Sequence, residues 1–462
     1  MKTKKNKIKK LGGRAIESGG YGCVFKPALK CKDEEREPNQ ISKLMLKRNA
    51  KTEYDDIVKF LPYLKKIPDY EKYFLVYDIT TCKPGRLDEE DLEGFDEKCS
   101  SLTKRKIKKD TVNEEENLRT LSIVNMPYGG VDVGRVIEQV FSKDRIDYAK
   151  LVELNNKLLE LLKNGILPMN QKQHIYHCDL KDSNIIVDQE MNTRLIDWGL
   201  SCKYDDESTV PDILKRRPFQ YNVPFSNVLF NNMFEDSYKE FLTKNNAPTY
   251  FETREFVVNY VFKWIDERGP GHLKSINSII KFLFENDISN IDEEFKDQLI
   301  EFSYTFHFIF DYITKILMKF TRNGEFDKIS YLKILLNNID VWGFTISYIS
   351  IVEMFHGRGN ISGVQQEIID RIKSAIVLLY ESSDHEINTE KLINILEGLN
   401  PLFTKALNEQ PKTYYKLFGE RRTTNPKTEK TDGSKAKGLK KRTRKRTRKL
   451  KKNSLIRSLY RK

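Results

Sequence analysis

The sequence predicts an α+β protein with a strand-rich front, a helix-rich back and a basic, disordered C-terminal tail. Three observations carry that reading. Short β-type runs punctuated by turn residues dominate up to about residue 128. Helical periodicity takes over from about residue 147, where Leu151, Leu154, Leu158 and Leu161 recur at three- and four-residue steps. Lys and Arg then crowd the end, with 19 of them against three acids in residues 420–462.

Taken in order, residues 1–11 form a basic arm. IESGGYGCVFKPAL reads as a hairpin around a glycine-rich turn. ISKLML is the next strand, residues 51–66 are helical, and KYFLVYDI reads as a strand. Residues 82–118 are a polar insertion carrying the cluster KRKIKK, and TLSIVNMPYGG is a strand running into a glycine connection. After the helical stretch from 147, NIIVD and TRLID are two short strands around the turn QEMN. Nearly everything from 250 to 417 is helical in character, and residues 418–462 repel themselves into disorder.

The formal charge of +13 in 462 residues hides a division. Residues 1–14 hold seven basic residues and no acid, so with the tail they account for more than the whole excess and the body is acidic. Polyanion binding, including nucleic acid, or nuclear import is therefore expected of the tail alone, against a purely solubilising role. No apolar run near 18 residues is apparent, so no membrane partner is expected. The N-terminus lacks the apolar region of a secretory signal. Six cysteines without a repeating interval read as free thiols in a reducing compartment, which predicts an intracellular, soluble protein. The oligomeric state is not legible.

The chemistry-bearing residues fit phosphoryl transfer, which needs phosphates held still, divalent metal and a group that orients the attacking hydroxyl. A backbone lying over phosphates requires small residues between paired strands, and Ile16, Glu17, Ser18, Gly19, Gly20, Tyr21, Gly22, Cys23 and Val24 supply that stretch. Against G-x-G-x-x-G-x-V, Gly19, Gly22 and Val24 match while Glu17 stands at the first glycine position. Lys43, on the following strand, is the candidate phosphate-anchoring cation, with Glu53 on the next helix as its partner. Asp179 and Asn184 lie five residues apart, and Asp197 follows thirteen later across a hairpin that returns the chain to the same end. That geometry suits Asn184 and Asp197 sharing divalent metal, Asp179 accepting the substrate proton, and Lys181 steadying the transferred group.

HCDLKDSN resembles the catalytic loop H-R-D-L-x-x-x-N of eukaryotic-type protein kinases, and DWG resembles their D-F-G. The resemblance implies a two-lobed fold over residues 12–417, with an N-lobe to residue 128 and a C-lobe from 129 carrying a helical insertion at about 230–335. It implies ATP and Mg2+ as cofactors, a protein substrate, and adenine bound by backbone groups near Met126 and Tyr128. Lys181 is the serine/threonine-type choice. More narrowly, GGYGCVFKPAL and YNVPFSNVLF resemble the kinases of large nucleocytoplasmic DNA viruses. Two departures stand out. Cys178 replaces the Arg that in many kinases pairs with a phosphorylated activation loop, so activity independent of that phosphorylation is expected and Ser208 and Thr209 should be dispensable. YNVPFSN lacks the Glu of A-P-E, while IDVWGFTIS resembles the D-x-W-x-x-G helix start and makes Asp340 the support of the catalytic loop. A catalytically silent kinase-like scaffold and a small-molecule kinase stay open as alternatives.

Overall fold

The computed structural model describes residues 14–18, 21–141, 145–205, 209–284 and 303–410. Within them the chain is mixed α/β, with its main sheet near the N-terminus and helices filling the rest. The basic arm, the basic tail, Gly19, Gly20 and Ser208 lie outside the described residues.

The sheet is antiparallel throughout, in the order β1 (Arg14–Ser18), β2 (Gly22–Lys26), β3 (Gln40–Leu46), β5 (Leu121–Pro127), β4 (Thr80–Cys82). Its two faces are occupied differently because successive side chains alternate. Cys23, Phe25, Leu44 and Ile123 point into a small core with Phe95, Leu102 and Ile107 of the polar insertion, whose short helices cover that face. Met45 and Val124 point the other way, onto Ala50 of helix α1 (Lys47–Val58). Lys43 shares the face of Met45 and lies opposite both Val24 and Val124 in register.

KYFLVYDI is not the strand its composition suggests. Tyr73 O and Leu75 N bond to Leu195 across a single isolated bridge, and Asp78 at φ 51° turns the chain before β4 begins. The buried side chains of Phe74 and Val76 join the main helical core instead, so burial rather than sheet pairing explains the apolar run.

The cysteines also depart from expectation. Cys23 is bonded to Cys99 and Cys31 to Cys82, while Cys178 and Cys202 are free. The paired residues are 76 and 51 positions apart; the folding of the insertion over the sheet brings Cys99 to Cys23, and a bridge between Cys31 and Pro84 beside β4 brings Cys31 to Cys82. Four of the six cysteines are therefore not the free thiols that their spacing suggested.

The rest is built around a long helical core. The helix Tyr148–Glu160 is capped by Asp147, passes through a wide π-type turn at Leu161–Ile166 and continues as Leu167–Gln173 until His174 adopts a left-handed conformation. The helices Asn232–Lys244, Tyr250–Arg268, Leu273–Leu283 and Ser303–Phe320 precede the central helix Lys328–Ile346. The stretch Lys328–His356 does have the length and hydropathy of a membrane span, contrary to the sequence reading, but 83% of its most apolar window is buried in the fold. Its apolar character is that of a core helix.

Three small pairings then frame one loop. β6 (Val131–Asp132) pairs with β8 (Ile185–Val187), and β8 pairs with β9 (Thr193–Leu195). β7 (Ile175–Tyr176) pairs with β10 (Cys202–Lys203). Gly130 carries the chain from the main sheet into this region at φ 108°, where a Cβ would fall 1.8 Å from the carbonyl oxygen of Val187. Gly130→Ala is expected to lose about 2 kcal/mol or more, from backbone strain together with the clash. Thermal unfolding of the variant measures it, and an unchanged midpoint would contradict the close approach.

Candidate active site

The loop 177–184 is positioned from beneath by one buried carboxylate. Asp340 Oδ2 accepts from the backbone N–H of His177 at 2.7 Å, and Oδ1 accepts from that of Cys178 at 2.8 Å. Asn170 Nδ2 also donates to Asp340, at 2.8 Å, and to the carbonyl of Ile175. Asp340 lies well inside the helix Lys328–Ile346, not at its start as the motif resemblance implied. Burial raises its pKa, against the opposing pull of His177, Asn170 and the two backbone donors. His177 completes the underside, with its Nε2 at 2.9 Å from the Ile196 carbonyl and its ring 5.1 Å from that of Trp198.

Anchored this way, the chain passes Cys178 at φ 59° and presents Asp179 upward. Asp179 is buried, yet each carboxylate oxygen is engaged. Oδ2 accepts from Lys181 Nζ at 2.8 Å and Asn184 Nδ2 at 3.1 Å, and Oδ1 accepts from Asn222 Nδ2 at 2.9 Å. Desolvation pushes its pKa up, but Lys181, Asn222 and Arg217 together outweigh it and hold the carboxyl below its ordinary value. Asp179 therefore carries its charge across the neutral range.

The β8–β9 hairpin performs the juxtaposition that the spacing suggested. Ile185 faces Leu195, and Ile196 N donates to the Asn184 carbonyl at 3.1 Å, so Asn184 and Asp197 sit at the same end. Asn184 also donates to the Asp179 carbonyl at 2.8 Å. With its amide hydrogens on Asp179, its carbonyl oxygen is the end suited to a cation. Asp197 is exposed, in a left-handed conformation at φ 68°. No cluster of three or more His, Cys, Asp or Glu suited to a metal occurs among the described residues. One carboxylate and one amide oxygen still suit magnesium, which takes few protein ligands and completes its shell from phosphates and water.

On the sheet, Lys43 Nζ meets Glu53 Oε2 at 2.6 Å, an ion pair bridging β3 and α1. Beyond α1, the Phe60 ring packs on Trp198 at 5.8 Å, beside Asp197. Of the glycine-rich stretch, Ile16 and Tyr21 are exposed, Gly22 and Val24 lie in β2, and the backbones of Glu17 and Ser18 pair with Val24 and Cys23. The Cys23 side chain is buried in the disulfide to Cys99, on the opposite face from Val24, so Cys23 offers a ligand its backbone alone. Met126 pairs with Ile41 within the sheet. The Tyr128 N–H donates to Asn39 at 3.3 Å, and Lys26 Nζ stands 3.1 Å over its ring, so that amide is engaged at the start of β3.

No family model matches the chain. A stretch of 55 residues is 40% identical to Cysteine-rich receptor-like protein kinase 28 of Arabidopsis thaliana. The relationship is to a protein kinase, over a short span. It covers 12% of this chain and 8% of the plant protein.

Two contributors to the site escaped the sequence reading. Arg217 is almost wholly buried, with Nη1 donating to the Cys178 carbonyl and Nη2 at 3.5 Å from Asp179 Oδ1. Asn222 donates to Asp179 and, at 3.1 Å, to the Leu180 carbonyl. In the sequence Arg217 is one of the run KRR and looks like surface charge, while Asn222 looks like a turn residue.

Proposed function

We propose that this chain is a eukaryotic-type protein kinase, transferring the γ-phosphoryl of ATP to Ser or Thr hydroxyls of protein substrates. The observation that carries the reading is the loop 177–184. Asp340 holds two successive backbone amides while Asp179, Lys181 and Asn184 meet above them. A charged hairpin with incidental turn residues gives no reason for a buried carboxylate to be placed under a left-handed cysteine. The short kinase relationship points the same way.

In this reading the strand-rich part is the N-lobe and the helical part the C-lobe. Asp179, kept ionised by its neighbours, accepts the proton of the attacking hydroxyl. Lys181 steadies the charge of the group in flight. Asn184 and Asp197 would hold magnesium, which supplies neutralisation of charge on the phosphoryl oxygens when bound. Lys43, fixed by Glu53, holds the α- and β-phosphates beneath the glycine-rich hairpin, and backbone groups near Met126 take the adenine. The Lys at 181 favours Ser/Thr over small-molecule substrates. The narrower resemblance to kinases of large DNA viruses rests on GGYGCVFKPAL and YNVPFSNVLF. A polyanion-binding role of the tail rests on its composition.

The test is transfer of label from γ-labelled ATP to a general Ser/Thr protein substrate, with and without magnesium. Magnesium-dependent labelling of Ser and Thr is expected, and none at any metal concentration would leave the silent scaffold as the reading. Lys43→Met removes the cation but keeps the stem, and turnover should fall about 10²- to 10³-fold, in the range of one lost charge-stabilising contact. Undiminished turnover would remove Lys43 from the site.

A further inference from the structure

The segment leading to YNVPFSN is fastened to the loop 177–184 by contacts that need no phosphate. Arg217 Nη1 donates to the Cys178 carbonyl, Nη2 lies 3.5 Å from Asp179, and Nε donates to Gln220 at 2.6 Å. Nη2 has no hydrogen-bond partner of good geometry and is aimed at the Asp179 carboxylate. Asn222 joins the same carboxylate to the Leu180 carbonyl. Trp342 Nε1 donates to the Tyr221 carbonyl at 3.0 Å. Phe225, at the position after Pro224 where a Glu was expected, is buried against Tyr312, Trp342 and Tyr380 with ring centroids 5.4–5.7 Å away. An aromatic cage thus stands at the position of the missing Glu.

The helical insertion adds the last fastening. After the helix Tyr250–Arg268, the loop Gly269–His272 folds back onto this segment, and His272 N donates to the Phe219 carbonyl at 2.8 Å. Its ring lies 5.3 Å from that of Tyr221. Gly271 sits at φ 54°, and a Cβ there would fall 2.2 Å from the same Phe219 oxygen. The close contact admits only glycine.

We propose that Arg217 and the Gly269–His272 loop together take over the work of activation-segment phosphorylation, with Arg217 as the positioning residue that holds Asp179 and the loop 177–184 in register. A kinase whose loop carries Arg at position 178 reaches outward for a phosphate. Here the direction is reversed, since the cation comes from the segment and the acceptors are on the loop. The buried guanidinium contacts both the backbone before Asp179 and the carboxylate itself, so it fixes the base in two places. The inference rests on the kinase reading.

The full chain, made in a bacterial host and treated with phosphatase until intact mass shows no phosphate, is assayed with magnesium ATP and a general Ser/Thr substrate. The phosphate-free protein should turn over at a rate that preincubation with ATP does not raise. Arg217→Met should lower kcat about 10- to 100-fold, the scale of an ångström-size misplacement of reacting groups, with KM for ATP within about twofold. Arg217→Lys should recover part of the loss, and Gly271→Ala should fall in the same direction as Arg217→Met. A merely structural role would move the melting temperature without this split between kcat and KM. If Arg217→Met fails to fold, Gly271→Ala and Asn222→Ala decide by the same split. Wild-type kcat in the folded variants overturns the proposal, as does a wild type that is inert until its segment is phosphorylated. A wild type inert in both states overturns the kinase reading along with it.

Discussion

Replacing Asp179 by Asn is expected to lower phosphoryl transfer by about 10²–10⁴-fold, the range attributed to a positioned general base. The side chain keeps its size, so the loop should fold, but one of two acceptor oxygens becomes a donor. Oδ2 now accepts from Lys181 and Asn184, and Oδ1 from Asn222, with Arg217 alongside. Whichever way the amide turns, an NH2 group meets one of these donors. ATP affinity, read as the thermal shift with magnesium ATP, should change little, because Asp179 touches neither Lys43 nor the hairpin. Asp197→Ala gives the contrasting signature, with turnover lost and the magnesium-dependent part of the thermal shift lost too. Asp179→Asn turning over at the wild-type rate would end the assignment of the base. The pH dependence supplies a second check. Because the neighbours depress the Asp179 pKa, its protonated fraction grows only below the ordinary aspartate range, and no acid limb from this group should appear between pH 6 and 8. The same depression contributes stability above the ordinary value, lost as pH falls through the folded value. Lys181→Met removes one lowering influence and should move the acid limb upward.

What could be read from the sequence, and what could not, divides along local and long-range lines. The proximity of Lys43 and Glu53 follows from strand alternation and one helical turn and a half, both short-range rules. Asn184 and Asp197 come together because a five-residue connection between two short strands admits one return path. Asp340 was legible only through the motif resemblance, since nothing in IDVWGFTIS states that its carboxylate lies under residues 170–178. Arg217 was missed because burial of a guanidinium depends on acceptors 39 positions away, and a KRR run reads first as solvated charge. The Cys23–Cys99 disulfide was missed for the same reason, as the covering of one sheet face by residues 95–112 leaves no local periodicity. KYFLVYDI failed differently. Its β-type composition is real, but the segment meets its burial as a connector between the sheet and the β9 strand, with a single bridge.

Asp340→Ala is expected to be the most damaging substitution in the helical core, and its cost does not come from lost charge. Burial raises the Asp340 pKa in spite of three donors, which means that ionisation is a net expense to the fold. A folded value above the unfolded one gives a destabilising contribution that sets in as pH rises through the carboxyl range and is complete above the folded value. Removing the carboxylate removes that expense but orphans the N–H groups of His177 and Cys178 and one amide hydrogen of Asn170 in a dry core. At about 1–3 kcal/mol for each of the three buried donors left without a partner, the loss is roughly 3–9 kcal/mol before relaxation. Cys178 then loses the acceptor of its N–H and is held in its left-handed conformation, which costs a non-glycine residue about 1–3 kcal/mol, only through its carbonyl on Arg217. Its relaxation swings Asp179 away from Asn222 and Asn184. Asp340→Asn separates the two effects, because it restores one acceptor while directing an NH2 at the other backbone donor. Chemical denaturation should place Asn between wild type and Ala in stability, yet both variants should lose turnover about 10²-fold or more, since the displacement of the base is common to them. If Asp340→Asn kept wild-type turnover at reduced stability, the carboxylate would be only a core acceptor and its hold on the base would be refuted.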